Sequence, residues 1–150
     1  MLQLRLATRR LNAQYGEGVL DVRCALGIGP AGAAVTSVRT ATGPAFLLSG
    51  RSLDALAGSS RHLSIVSANS AAQLSLDLVA RFTDYLVQRL TGRQSEVIFE
   101  LLKGNSQTEA GKKLDKAPAT ISQHVHAGGW NELEQLITDY ERVLTQHALR

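Results

Sequence analysis

The feature that most limits what this chain can fold into is the punctuation between Thr91 and Trp130, TGRQSEVIFELLKGNSQTEAGKKLDKAPATISQHVHAGGW. Thr91 is an N-cap residue, and Gln94 three positions later completes a capping box. Val97, Ile98, Leu101 and Leu102 then recur at helical spacing. Gly104 supplies a residue that accepts the left-handed conformation and so ends the helix. Asn105 or Ser106 caps a second helix over about 107–114, with Ala110, Gly111 and Leu114 on its inner side. Asp115 and Lys116 make a turn, and Ala117 precedes Pro118, a residue suited to a first helical turn. A third helix over 118–127 ends at Gly128 and Gly129. Three short helices joined by two tight turns predict a helix-turn-helix.

The small residues have a purpose in that reading. Ala110 and Gly111 let the third helix cross the second closely, and only Ile121 and Val125 need burial on the third. Its remaining faces carry Thr120, Ser122, Gln123 and His126, side chains that offer hydrogen bonds to base edges in a major groove about 12 Å wide. Lys112, Lys113 and Lys116 stand beside it, where they would meet phosphates.

This stretch resembles the helix-turn-helix of the LuxR type and of sigma-factor region four. The likeness is carried by Leu90, Thr91, Arg93, Gln94, Glu96, Val97, Leu101, Leu102, Gly104, Glu109, Ala110, Leu114, Thr120, Ile121, Ser122 and His124. Two positions depart from the pattern: Gly111 replaces a larger apolar residue, and Ala117 stands where a capping Ser is usual. The resemblance implies binding to double-stranded DNA and regulation of transcription. The competing reading is a helical module that binds another protein, an adaptor or antagonist of a different regulator. The charge favours the latter. Residues 91–130 hold five Lys or Arg against four carboxylates, and residues 91–150 seven against eight. Counterion release, the source of non-specific DNA affinity, requires clustered cations.

Residues 1–90 hold nine arginines, no lysine and five carboxylates, whereas every lysine lies between 103 and 116. That break predicts two domains: a small α/β domain over 1–70, a connecting helix over 71–90, and an all-helical domain over 91–150. The fold class expected is α+β. Residues 2–15 read as one amphipathic helix with Leu2, Leu4, Leu6 and Leu11 inward and Arg5, Arg9, Arg10 and Asn12 outward. Residues 19–29 alternate as a strand, Gly27, Gly29, Pro30 and Gly32 read as a turn, and residues 33–40 are a second β-rich run that would complete a hairpin. Pro44 opens a helix to about Ala57, with Phe46, Leu47, Leu53 and Leu56 inside. Residues 62–68 are a third strand. Asn69 or Ser70 caps the connecting helix, whose buried face is expected to be Leu74, Leu78, Phe82, Tyr85 and Leu86.

Gly27-Ile28-Gly29, Gly43-Pro44-Ala45-Phe46 and Gly50-Arg51 resemble the first part of SatD-like proteins, an α/β domain of nucleotide-cyclase or ferredoxin-like type. A full domain of that kind would place a strand and a helix ahead of Leu2, and a cyclase would need paired metal-binding aspartates, which are missing here. The resemblance therefore implies fold rather than cyclase chemistry. A ligand or protein partner for this half is expected, with no residue to identify it; a nucleotide is one such ligand.

Catalysis is not expected. The glycines fit neither phosphate-loop pattern. His124 and His126 are two apart on a helix and point to different sides, and with the lone Cys24 they make no zinc set. No cofactor and no metal are expected. One cysteine, no secretory leader and no apolar run near the ~20 residues of a membrane helix predict a cytoplasmic protein. Residues 130–149 form a final helix with Leu133, Leu136, Ile137, Tyr140, Val143 and Leu144 in one stripe, which is expected to pair two copies as a homodimer or else to fold back as core.

Overall fold

The computed structural model describes residues 1–30 and 42–148, with side chains through Arg142. It is mostly helical with a small parallel sheet: α1 (Leu2–Arg9), α2 (Asn12–Tyr15), β1 (Cys24–Ile28), α3 (Pro44–Ala57), β2 (Leu63–Ser67), α4 (Ser70–Arg89), α5 (Gly92–Leu102), α6 (Gln107–Leu114), α7 (Pro118–Ala127) and α8 (Trp130–Ala148). The β-rich run expected over 33–40 lies outside the described residues, as do the side chains of Val143 and Leu144. No helix among the described residues is long and apolar enough to cross a membrane.

By packing, the chain forms two units: residues 1–21 together with 86–150, and residues 22–85. The expected domain over 1–70 is therefore divided, and its first part packs with the C-terminal helices.

In the unit of residues 22–85, β1 and β2 pair in parallel with Cys24 opposite Leu63 and Ile28 opposite Ser67. Parallel strands need a long crossover, and α3 lies within it. Gly27 sits inside β1 rather than in a turn, because α3 presses its backbone onto the strand there. A Cβ at Gly27 would stand 2.1 Å from the Ala45 carbonyl oxygen, and one at Gly29 3.3 Å from the Ala45 nitrogen. The glycines thus serve close packing of helix on strand.

That contact also decides which face of α3 is inward. Ala45, Leu48, Ser49, Ser52 and Leu56 are shielded, while Phe46, Leu47 and Leu53 are 43, 58 and 45 % exposed, so three of the four residues expected inside point out.

A line of polar side chains ties α4 to β2. Gln73 Oε1 accepts from Ser67 N (2.8 Å), Asp77 pairs with Arg61 (3.0 Å), and Asp84 Oδ2 accepts from His62 N (2.8 Å). Asn69 caps the helix by accepting from Ala71 N at 3.0 Å. These bonds turn Leu76, Ala80, Thr83 and Asp84 inward. The face expected to be buried is open instead: Leu74, Leu78, Phe82 and Tyr85 are 70, 59, 49 and 55 % exposed. Both sides of α4 are apolar, and spacing alone does not say which one packs.

In the other unit, Leu6, Val87, Leu90, Val97, Ile98, Leu101, Ala110, Ile121, Val125, Trp130 and Leu133 form one core. The single helix expected over 2–15 is broken at Arg10 and Leu11 into α1 and α2. Its polar residues are inside. Arg5 is 0 % exposed, Arg9 6 % and Asn12 2 %. Asp21 explains this. It accepts from Arg5 at 3.1 and 2.7 Å in a two-pronged pair and from Arg9 at 3.1 Å. Arg9 also donates to the carbonyls of Gln88 (2.9 Å) and Leu90 (2.6 Å), satisfying acceptors that the end of α4 leaves open. The Asn12 amide closes a two-bond ring with the backbone of Leu20. Glu17 accepts from Gly92 N, where negative charge favours the start of α5.

The beginning of α8 folds back onto this core through Trp130, Leu133 and Ile137. That part of its stripe, Leu133 and Ile137, is used within one chain, as the alternative of a fold-back onto the core expects.

Candidate nucleic-acid interface

The helix-turn-helix is assembled by local signals that the structure satisfies one by one. Thr91 and Gln94 form both bonds of a capping box, and so do Ser106 and Glu109. Gly104 adopts φ +90°, and Asp115 holds the left-handed conformation at φ 51°, ψ 51° to end α6. Asp115 is among the few non-glycine residue types that tolerate that region. Ala117 is extended ahead of Pro118, as a residue before proline must be. The crossing of α6 and α7 is close: a Cβ at Gly111 would lie 3.2 Å from the Lys116 carbonyl oxygen and 3.5 Å from Ile121 Cγ1. At the far end of α7, a Cβ at Gly128 would lie 2.5 Å from Ile98 Cδ1 and 2.8 Å from the His124 carbonyl oxygen. Glycine there lets α7 seat against α5.

Seated this way, α7 buries Ile121 and Val125. Gln123 and His126 are exposed, and Thr120 and Ser122 are half-buried. Among the described residues, none of these four side chains makes a hydrogen bond or ion pair within the chain. Their bonding capacity is unspent and lies on one helix about 15 Å long.

The three lysines divide. Lys112 is exposed and carries no ion pair among the described residues, and it borders a groove of about 430 Å³ with Gln107, Thr108, Ala117 and Pro118 at the start of α7. Lys116 borders the same groove, yet its ammonium is 3.4 Å from Glu96. Lys113 points elsewhere, donating to Asn105 Oδ1 at 2.8 Å with Glu100 at 3.5 Å. Glu100 is 7 % exposed and gathers several partners: Lys103 at 3.3 Å, Lys113, and the Asn105 amide at 2.8 Å. Two of the three expected phosphate contacts therefore already face carboxylates of α5.

Sequence reasoning missed Glu96 and Glu100 as the groups that hold these lysines. Both sit on one face of α5, four residues apart, which was the available signal. It also missed Arg93, exposed near His124 and without an ion pair among the described residues. Burial lowers the His124 pKa, and the nearby Lys116 and Arg93 charges lower it further, against a smaller opposing effect of Glu96. The Glu109 carboxyl is lowered by the hydrogen bonds from Ser106 that make the capping box.

Among the described residues, no three His, Cys, Asp or Glu side chains stand together in a way that could hold a metal ion. Cys24 is buried in β1. No family model, curated protein or solved structure matches the chain.

Proposed function

We propose that this chain is a sequence-specific DNA-binding regulator of transcription, acting in the cytoplasm on double-stranded DNA as a homodimer, with α7 as the reading helix. One observation carries the reading: α7 buries a two-residue stripe and leaves Thr120, Ser122, Gln123 and His126 with no side-chain partner among the described residues. A helix fits a groove about 12 Å wide, and an amide such as Gln123 can make a paired contact with adenine N6 and N7. Lys112 and Arg93 are the cations ready for phosphates. Lys113 and Lys116 would first exchange a carboxylate for a phosphate, so their net gain is smaller. The unit of residues 22–85 takes a ligand or partner of its own.

The test is selection of bound duplexes from a random pool, followed by anisotropy titrations. Gln123→Ala should cost about 1–3 kcal/mol on the selected site and nothing on random duplex. Lys112→Ala should weaken both alike and lower the salt slope by about one per copy. Equal losses on both duplexes for Gln123→Ala would remove its base-reading role.

A second reading, a protein-binding adaptor, is favoured by the carboxylates of Glu96 and Glu100 beside the lysines. Under that reading, micromolar protein shows no salt-dependent binding to any duplex.

A further inference from the structure

The break between α1 and α2 sets the direction of Arg10. Arg5 and Arg9 are four residues apart and share the inward face, whereas Arg10 lies about 100° further round the helix. Past the break, Gly92 has no room for a Cβ against the Ala13 backbone, so α2 seats on the head of α5. Arg10 then lies over Phe99 of α5, its guanidinium carbon 4.5 Å from the ring centre. The negative face of the ring attracts the charge. Among the described residues, the Arg10 side chain has no hydrogen bond and no carboxylate partner, so its N–H donors are unspent.

Arg10, Leu11 and Gln14 line a cleft of about 180 Å³ together with Glu96 and Leu114. Glu96 joins this cleft to the groove at the start of α7. Its carboxylate is 3.4 Å from the Lys116 ammonium, and Lys116 borders that groove beside Lys112. The charged side chains along the two clefts are Arg10, Lys112 and Lys116 against Glu96 and Asp115. Without Arg10 the track is neutral, and with it the track has a surplus of positive charge.

We propose that the Arg10 cleft binds a phosphate of the DNA backbone beside the base pairs that α7 reads, so that α1 and α2 add a second arm to the interface. The inference rests on the reading of α7 given above and adds a contact outside the helix-turn-helix. Three features fit a phosphate. A guanidinium presents its N–H groups as a fork that matches two phosphate oxygens. Packing on Phe99 restricts the side chain before DNA arrives, so less freedom is lost on binding. The charge of Glu96 is already met by Lys116, so the Arg10 charge is the one left over in that cleft. A contact of this kind positions the protein on the duplex without reading sequence.

The test is anisotropy titration of the full chain on the selected duplex and on random duplex, from about 50 to 200 mM salt. Arg10→Gln should weaken both alike, roughly three- to tenfold at the low end, and lower the salt slope by about 0.9 per copy. Arg10→Lys keeps the charge and should keep the slope. Gln14→Lys, at an exposed position, should raise the slope by a similar amount. Arg51→Gln, exposed on α3, should leave it unchanged. Circular dichroism checks the fold of each variant. A slope unchanged by folded Arg10→Gln, while Gln123→Ala still weakens only the selected duplex, overturns this proposal and leaves α7 as the reader. If Arg10→Gln does not fold, an unchanged slope for Gln14→Lys does the same. An equal drop for Arg51→Gln also overturns it, since any cation would then serve. A wild type that binds no duplex removes this proposal and the reading of α7 together.

Discussion

Asp21 is the most consequential carboxylate in the helical bundle. Replacing it by alanine takes a carboxylate from two buried guanidinium groups at once. Arg5 has no exposed surface and loses bonds of 3.1 and 2.7 Å, while Arg9, nearly as buried, loses one of 3.1 Å but keeps the carbonyls of Gln88 and Leu90. Removing one partner of a buried pair costs about 3–5 kcal/mol, because the remaining charge loses its compensating carboxylate. A domain of this size is stable by only about 5–15 kcal/mol, so Asp21→Ala should bring the bundle close to unfolding at room temperature. Asp21→Asn keeps an acceptor oxygen and should cost less, about 1–3 kcal/mol. Arg5→Met should be milder than Asp21→Ala, since it fills the space with apolar volume and leaves Asp21 paired with Arg9. Urea unfolding followed by circular dichroism measures all three, with the order Asp21→Ala, Asp21→Asn, Arg5→Met as the expected ranking. A loss below about 1 kcal/mol for Asp21→Ala, the value of a surface ion pair, would show that these arginines are not buried as described.

Two further outcomes follow from the geometry. Gly128→Ala places a methyl group 2.8 Å from a backbone oxygen and 2.5 Å from Ile98 Cδ1, and should destabilise the bundle by about 1–3 kcal/mol in the same assay. His124, with its pKa held below the usual imidazole range, binds its proton more readily once the chain unfolds. Its contribution is complete above the unfolded imidazole pKa, about 6.5, and is lost as pH falls from there towards the lower folded value. His124→Gln should therefore flatten the pH dependence of urea midpoints below that pKa, and an unchanged slope would contradict the assignment.

The helix-turn-helix was legible because its signals are local. Thr91, Gly104, Ser106, Pro118 and Gly129 act within a few residues of where they stand, and Ile121 and Val125 are the apolar residues that α7 buries at its crossing with α5 and α6. The rest depended on partners distant in the chain. Arg5 and Arg9 read as a solvated helix face because Asp21 and the end of α4 could not be placed beside them. The inward face of α4 was misassigned because two opposite faces are apolar, and the decision falls to Gln73, Asp77 and Asp84 reaching β2. The glycines of β1 read as a turn because the approach of Ala45 lies in a different element. At the candidate site, Thr120, Ser122, Gln123 and His126 could be placed outside the buried stripe of α7, but the tethering of Lys113 and Lys116 required the side chains of α5.

The division of the bundle between residues 1–21 and 86–150 sets an order of assembly during synthesis. α1 is made before its packing partner α5, which follows some eighty residues later, an interval on the order of ten seconds at ordinary elongation rates. Over that time the leucines of α1 wait without their docking surface, whereas its two arginines have Asp21 close by in the chain. The segment 22–85 can collapse in the interval, and doing so shortens the effective loop that must close before α1 meets α5.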